Sequence, residues 1–243
     1  MKIAAAQINP VKGDIPKNIE NHKTLVKAAA DHNVNLVIFP ELSVTGYEPE
    51  LAEQLSIHYE DPVLDIFQKM ADKNNMTIAV GMPTKADDKL FISSIIFQQG
   101  KGREIYSKRH LFPTETGVFS RSENFCQLNI LQNKISLAIC YDLSDPNHSL
   151  EAYQAGSNVY AASVLNSVNV IYDDLFKLSD IAKKYHMHVL MANFTGKSGG
   201  YECAGKSSVW NNNGNLLGQL NREDEGLLIL NTENNQIEEI YIH

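Results

Sequence analysis

Three expected strands in this chain end on residues that can do chemistry. Residues 135–139 read ISLAI, a mostly apolar, partly β-branched run that favours a buried strand, and Cys140 follows at once. Residues 36–39 read LVIF, and Pro40 stops them just before Glu41. Residues 103–106 run into Ser107 and then Lys108. Each residue has a plainer reading. Free cysteine is among the most buried residue types, a loop glutamate is usually solvated or caps a helix, and lysine is usually a surface cation. Three such residues at three strand ends change the balance. Ligands of open α/β sheets gather beyond the carboxyl ends of strands. A carboxylate, an ammonium and a thiol that converge there make an acyl-transfer site.

The elements that must position them follow from periodicity. Residues 3–8 read as a strand, residues 17–31 as a helix with Ile19, Leu25, Val26, Ala29 and Ala30 on one face, and residues 36–39 as a second strand. This β-α-β opening predicts a sheet with helices packed on it. Asp61-Pro62 starts a further helix. Residues 77–80 form a strand that Gly81-Met82-Pro83 should end. Residues 91–97 and 103–106 form a hairpin, and residues 125–130 pair with 134–139. A short helix over 149–155, a strand over 159–162, a helix over 175–185 and a strand over 188–192 follow. Three late strands, 207–210, 216–220 and 227–230, are separated by Asn-Gly and Glu-Gly turns. No repeat or linker divides residues 1–243, which read as a single domain.

Composition narrows the function. The 243 residues are 43% hydrophobic with a net charge of -8, so a sizeable core is expected and disorder is not. Mean hydropathy is -0.25 and the isoelectric point is about 5.5. Scattered basic residues on an acidic chain argue against nucleic acid, because counterion release needs clustered positive charge. Three cysteines without CxxC spacing argue against a disulfide framework and a zinc knuckle, and suggest a cytoplasmic setting. The amino terminus does not resemble an export signal, and no run is long enough to span a membrane.

The segments FPELSVTGY around Glu41, YSKRHLFP around Lys108 and ICYDLSDP around Cys140 resemble the carbon–nitrogen hydrolase, or nitrilase-like, superfamily in order and spacing. The late segment GKSSVWNNNGNLLGQL resembles it as well. The resemblance implies an α/β fold: a four-layer α-β-β-α sandwich of two mixed sheets with outer helices. It also implies a homodimer or larger assembly packed through the helical layers. For the site it implies Glu41 as general base, Cys140 as nucleophile, and Lys108 with the backbone N–H of Tyr141 as stabilisers of the oxyanion. A second glutamate in the loop after the lysine falls at Glu115, with Glu123 as the alternative. No cofactor or metal is required, and His148, His186 and His188 lack a ligand spacing.

The expected substrate is a small-molecule amide. Many relatives read CYDLRFP where this chain reads CYDLSDP, so Ser144 stands in place of an arginine suited to a substrate carboxylate. That puts a dicarboxylate monoamide in doubt unless Arg109 or Arg121 substitutes. Tyr141, where true nitrilases often carry tryptophan, leans toward amides over nitriles. Tyr47, Tyr160, Tyr201 and Glu202 are expected to line the pocket, and residues 196–205 read as a flexible lid. Cys126 and Cys203 read as structural. Hydrolysis of a nitrile or an N-carbamoyl compound is the alternative within enzymes. A non-catalytic binding or assembly module is the alternative of another class.

Overall fold

The computed structural model describes residues 1–242. Fifteen strands are formed: β1 Lys2–Gln7, β2 Leu36–Ile38, β3 Thr77–Ala86, β4 Lys89–Phe97, β5 Glu104–Ser107, β6 Gln127–Ile130, β7 Asn133–Ile139, β8 Val159–Ser163, β9 His188–Ala192, β10 Lys197–Ser198, β11 Tyr201–Glu202, β12 Ser208–Trp210, β13 Leu216–Gln219, β14 Gly226–Asn231 and β15 Ile237–Tyr241. The helices are α1 Ile15–Asp31, α2 Ala52–Leu55, α3 Asp65–Asn74, α4 Pro146–Gln154 and α5 Ile171–Tyr185.

Thirteen of these strands make two mixed sheets. One runs β15-β14-β1-β2-β3-β4-β5 and the other β13-β12-β9-β8-β7-β6. Each has a parallel centre, β1-β2-β3 and β7-β8-β9, flanked by antiparallel strands. The period-2 alternation of strand side chains builds the layers. Leu137 and Ile139 of β7, Ala161 of β8 and Leu190 of β9 face the core shared with the first sheet. The residues between them, Ala138, Ala162 and Met191, join a second cluster with Leu178 and Ala182 of α5 and Ala152 of α4. Leu25, Val26 and Ala29 of α1 and Phe67 and Ala71 of α3 cover the first sheet. The order is therefore helix, sheet, sheet, helix.

Several elements depart from the sequence expectations. β3 passes through Gly81-Met82-Pro83 and turns into β4 at Asp87 and Asp88, both with positive φ. β2 pairs with β3 only as far as Ala79, so Pro83 interrupts no ladder on that side. α4 starts three residues earlier than expected, at Pro146, because Asp145 caps it by accepting from Asn147 N. β15, an edge strand carrying the adjacent acids Glu238 and Glu239, has no counterpart among the expected elements. Residues 196–205 contain a small hairpin, β10-β11, tied down by Tyr47 N donating to Ser198 Oγ at 2.8 Å and Gly199 N donating to Glu48 Oε1 at 3.1 Å.

Candidate active site

β2 and β7 end at one cavity of about 250 Å³, and Lys108, just after β5, reaches the Glu41 and Glu115 carboxylates that line it. Glu41 enters from the turn after β2. That turn presses against β3 because residue 81 is glycine: a Cβ there would lie 2.3 Å from Leu42 N and 2.4 Å from Pro40 O. Ser43 Oγ also accepts the Gly81 N–H at 3.1 Å. Behind it stands His22, whose imidazole burial pushes down to about 4 and so keeps neutral, with Nε2 2.9 Å from Ser43 Oγ. The Glu41 carboxylate is thus aimed by the backbone rather than by its own side-chain freedom.

Lys108 follows β5 and is anchored by its N–H to Ile92 O at 2.8 Å. Its side chain is fully buried. Nζ donates to Glu41 Oε1 at 2.6 Å and to Glu115 Oε1 at 2.8 Å, which uses two of its three donors. Glu115 sits on the short turn after Pro113. Its Oε2 accepts from Phe112 N at 2.7 Å, and its Oε1 also accepts from Tyr47 OH at 2.7 Å. Burial opposes the Lys108 ammonium, but the carboxylates of Glu41 and Glu115 outweigh it and hold the pKa above the ordinary lysine value.

Cys140 ends β7 with φ at +45°, a left-handed conformation that costs a non-glycine residue roughly 1–3 kcal/mol. Asp142 holds the turn. Its Oδ2 accepts from Ile139 N at 2.9 Å and Tyr106 OH at 2.6 Å, and its Oδ1 accepts from Arg109 N at 3.0 Å and His110 N at 2.8 Å. One buried carboxylate therefore pins the residue before Cys140 and the two residues after Lys108. Sγ lies 4.0 Å from Leu165 O.

The electrostatics follow from dryness. Burial pushes Glu41 up to about 7; the Lys108 ammonium resists the rise and the Glu115 carboxylate adds to it. Burial also raises the Cys140 thiol, the Glu41 carboxylate raises it further, and Lys108 opposes. Glu41 Oε2 makes no hydrogen bond among the described residues. The neighbouring Cys140 thiol, together with Lys108, favours the charged form of that carboxylate.

Glu41, Lys108, Cys140 and Glu115 thus meet at one place, as do Tyr47, Tyr141 and Tyr201 along the wall. Glu123 lines a separate groove with Arg109 and Arg121. Three expected pocket residues stand elsewhere and are corrected here, the first being Glu202, which is exposed on β11 and pairs with Arg222. Tyr160 is fully buried on the helix-facing side of β8, with its hydroxyl 2.7 Å from His148 Nδ1. Arg109 points to the other side of the chain from Lys108 and donates to Glu151 Oε2 at 2.6 Å. The sequence reading missed Asp142, Phe112, Leu165 and Asn166, and also Asp173, Asp174 and Lys177 at the start of α5. The only signal for the last three was the Asp173-Asp174 pair just ahead of a helix expected to begin at residue 175; α5 begins at Ile171 and takes that pair into its first turn. No group of three or more His, Cys, Asp or Glu among the described residues is arranged to hold a metal ion. No helix among them is long and apolar enough to cross a membrane.

Comparison with known proteins agrees with this architecture. The sequence profile of the family described as carbon-nitrogen hydrolase matches residues 2–241. A probable nitrilase of Schizosaccharomyces pombe is 26% identical over 93% of this chain and 86% of its own length. A glutamine-dependent NAD(+) synthetase of Thermotoga maritima is 25% identical over 79% of this chain, which spans only 34% of that protein. Among solved structures, the amidase from Nesterenkonia sp. AN1 in complex with butyramide superposes with a TM-score of 0.84 at 22% identity, covering 100% of this chain and 90% of the other. At that identity the likeness shows the fold.

Proposed function

The chain belongs to the carbon–nitrogen hydrolase family, and we propose that it hydrolyses a small-molecule amide through a cysteine thioester, with Glu41, Lys108 and Cys140 as the reacting groups. The observation that carries this reading is the division of labour on one buried carboxylate. Glu41 Oε1 is committed to Lys108, while Oε2, beside the Cys140 thiol, is uncommitted among the described residues. A carboxylate pushed up to about 7 is matched to proton transfer near neutral pH.

The resting thiol is protonated, since its pKa is raised. Glu41 takes the thiol proton as sulphur attacks the amide carbonyl, and a C–S bond forms. The carbonyl electrons move onto oxygen. The remaining donor of Lys108 and the backbone N–H of Tyr141 stabilise that oxyanion, and one such donor is worth roughly 3–4 kcal/mol. Collapse breaks the C–N bond, and Glu41 returns the proton to the leaving amine. Water then attacks the thioester, Glu41 takes its proton, and the thiol is restored as the acid leaves. Glu115 holds Lys108 and Tyr47 in place throughout.

The reading takes residues 1–243 as one domain of a cytoplasmic homodimer. Three free cysteines support the compartment. Tyr172 and Phe176 on α5, 66% and 75% exposed, and Tyr153 on α4, 51% exposed, support assembly through the helical layer.

The test is intact-mass detection of an acyl-enzyme after mixing with a panel of small primary amides, nitriles and N-carbamoyl compounds. An acyl mass on Cys140, formed from amides and absent in Cys140→Ala, is expected. Turnover that survives Cys140→Ala would overturn the reading.

A further inference from the structure

The outer half of the cavity differs in chemistry from its floor. Asp173, Asp174 and Lys177 of α5 line its mouth. Lys177 pairs with Asp174 at 2.8 Å, while Asp173 makes no ion pair among the described residues. Asp174 lies near enough to Cys140 that its charge adds to the rise in the thiol pKa. At the floor, the single ammonium of Lys108 is shared by Glu41 and Glu115. Carboxylates around this space therefore outnumber ammonium groups two to one.

No uncommitted cation faces inward among the described residues. Arg109 is paired with Glu151 outside the cavity, and Arg121 lies in the separate groove. Ser144, which lines the cavity, donates its hydroxyl to Tyr141 O at 2.6 Å. A substrate carboxylate entering this space would meet four carboxylates and only two ammonium groups, each already paired with a carboxylate, which disfavours its transfer from water. The walls favour the opposite charge. Phe112 and Tyr141 meet edge to face with ring centroids 5.3 Å apart, and Tyr47 and Tyr201 do so at 6.4 Å. Aromatic faces backed by carboxylates attract an ammonium. The polar end of the space is marked by Glu41 Oε2, fully buried and without a partner among the described residues.

We infer that the cavity selects amides whose acyl chain ends in a positive charge, held at the mouth by Asp173 and Asp174 between aromatic walls, and rejects amides ending in a carboxylate. The inference rests on the amide-hydrolase reading above, so its test has one arm that needs turnover and one that does not.

In the first arm, kcat/KM is measured for 4-aminobutanamide, butanamide and succinamic acid with the native protein and with Asp173→Asn/Asp174→Asn. The cationic amide should exceed the anionic one by about tenfold or more, and the ratio should shrink in the double variant and in high salt. In the second arm, modification of Cys140 is followed by peptide mass with aminoethyl, methyl and sulfonatoethyl methanethiosulfonates. Each rate is divided by that of the same reagent with a free thiol. The cationic reagent should be fastest, and the double variant should bring the three together. Equal relative rates for cationic and anionic reagents, or a double variant that leaves the ratio unchanged, would overturn the inference. Turnover without charge preference would sink it while leaving the hydrolase reading intact. Charge-selective labelling with no amide turned over would support it and sink the hydrolase reading instead.

Discussion

Asp142 accepts the backbone N–H of Arg109 at 3.0 Å, and through that bond the turn carrying Cys140 holds the strand end carrying Lys108. The same carboxylate accepts from Ile139 N, immediately before the cysteine. It is fully buried, and His110, His148 and Tyr106 overcome the effect of burial to hold its pKa below the ordinary aspartate value. Asp142 thus acts through its neighbours, as a positioning residue.

Asp142→Asn should therefore hurt geometry more than affinity. An amide supplies one acceptor oxygen where four donors converge, which leaves buried N–H groups unpaired at about 1–3 kcal/mol each. Stability should fall by a few kcal/mol in denaturant melts. With a small amide, kcat should drop by a larger factor than KM rises. A variant with unchanged kcat would show that the turn keeps its shape without the carboxylate.

Lys108→Ala should lose at least about 10²-fold in kcat, because it removes the proposed oxyanion donor. It should also leave Glu41 and Glu115 buried without their cation, a loss on the order of 3–5 kcal/mol. The sign of its pH dependence is fixed. Burial already pushes the Glu41 carboxyl up to about 7, and without the opposing Lys108 ammonium it rises further above its unfolded value, so the native state holds the extra proton and the variant should regain stability as pH falls. Thermal melts across acid and neutral pH check this.

Glu41 makes an analogous statement in the native protein. Its carboxyl, pushed up to about 7 from an ordinary 4.5, keeps its proton in the folded state over a range where the unfolded chain has released it. Its contribution to stability should therefore decline as pH rises from about 4.5 to 7, the reverse of a salt-bridged surface carboxylate. Activity should run the other way, because the base must be unprotonated: kcat/KM should rise through pH 7. Glu41→Gln should remove this part of the stability slope and nearly all of the activity.

What could be read from the chain, and what could not, divides along physical lines. Glu41, Lys108 and Cys140 could be picked out because each stands just beyond the end of an expected strand and the three motifs around them occur in one family's order and spacing. The strands at residues 135–139, 159–162 and 188–192 were legible as largely apolar runs, whereas the four-layer sandwich came from the family resemblance. The direction of a side chain just beyond a strand was not legible. Arg109 follows Lys108 by one residue and points away from it, to Glu151. Tyr160 sits on a cavity-adjacent strand yet belongs to the α5-facing layer. Asp142 lay within its motif but could not be given a role, because three of its four partners, Tyr106, Arg109 and His110, lie more than 30 residues away around the end of β5. Pro83 was read as a stop because its tolerance depends on β2 ending at Ile38.

Reactivity of the three thiols separates an enzyme from a binding module on the same fold. Burial pushes Cys126 and Cys203 both up to about 11, and it raises Cys140 as well, so thiol acidity alone does not favour Cys140. Only Cys140 has a buried base beside it with a free oxygen among the described residues. Iodoacetamide should therefore label Cys140 far faster than the other two. Glu41→Gln should slow that labelling by about 10²-fold, the usual worth of a positioned base, and leave Cys126 and Cys203 unchanged. Peptide mass spectrometry over time reads all three sites in one sample. Equal, slow labelling of the three in the native protein would mean that Glu41 does not activate the thiol, and the fold would then serve binding rather than hydrolysis.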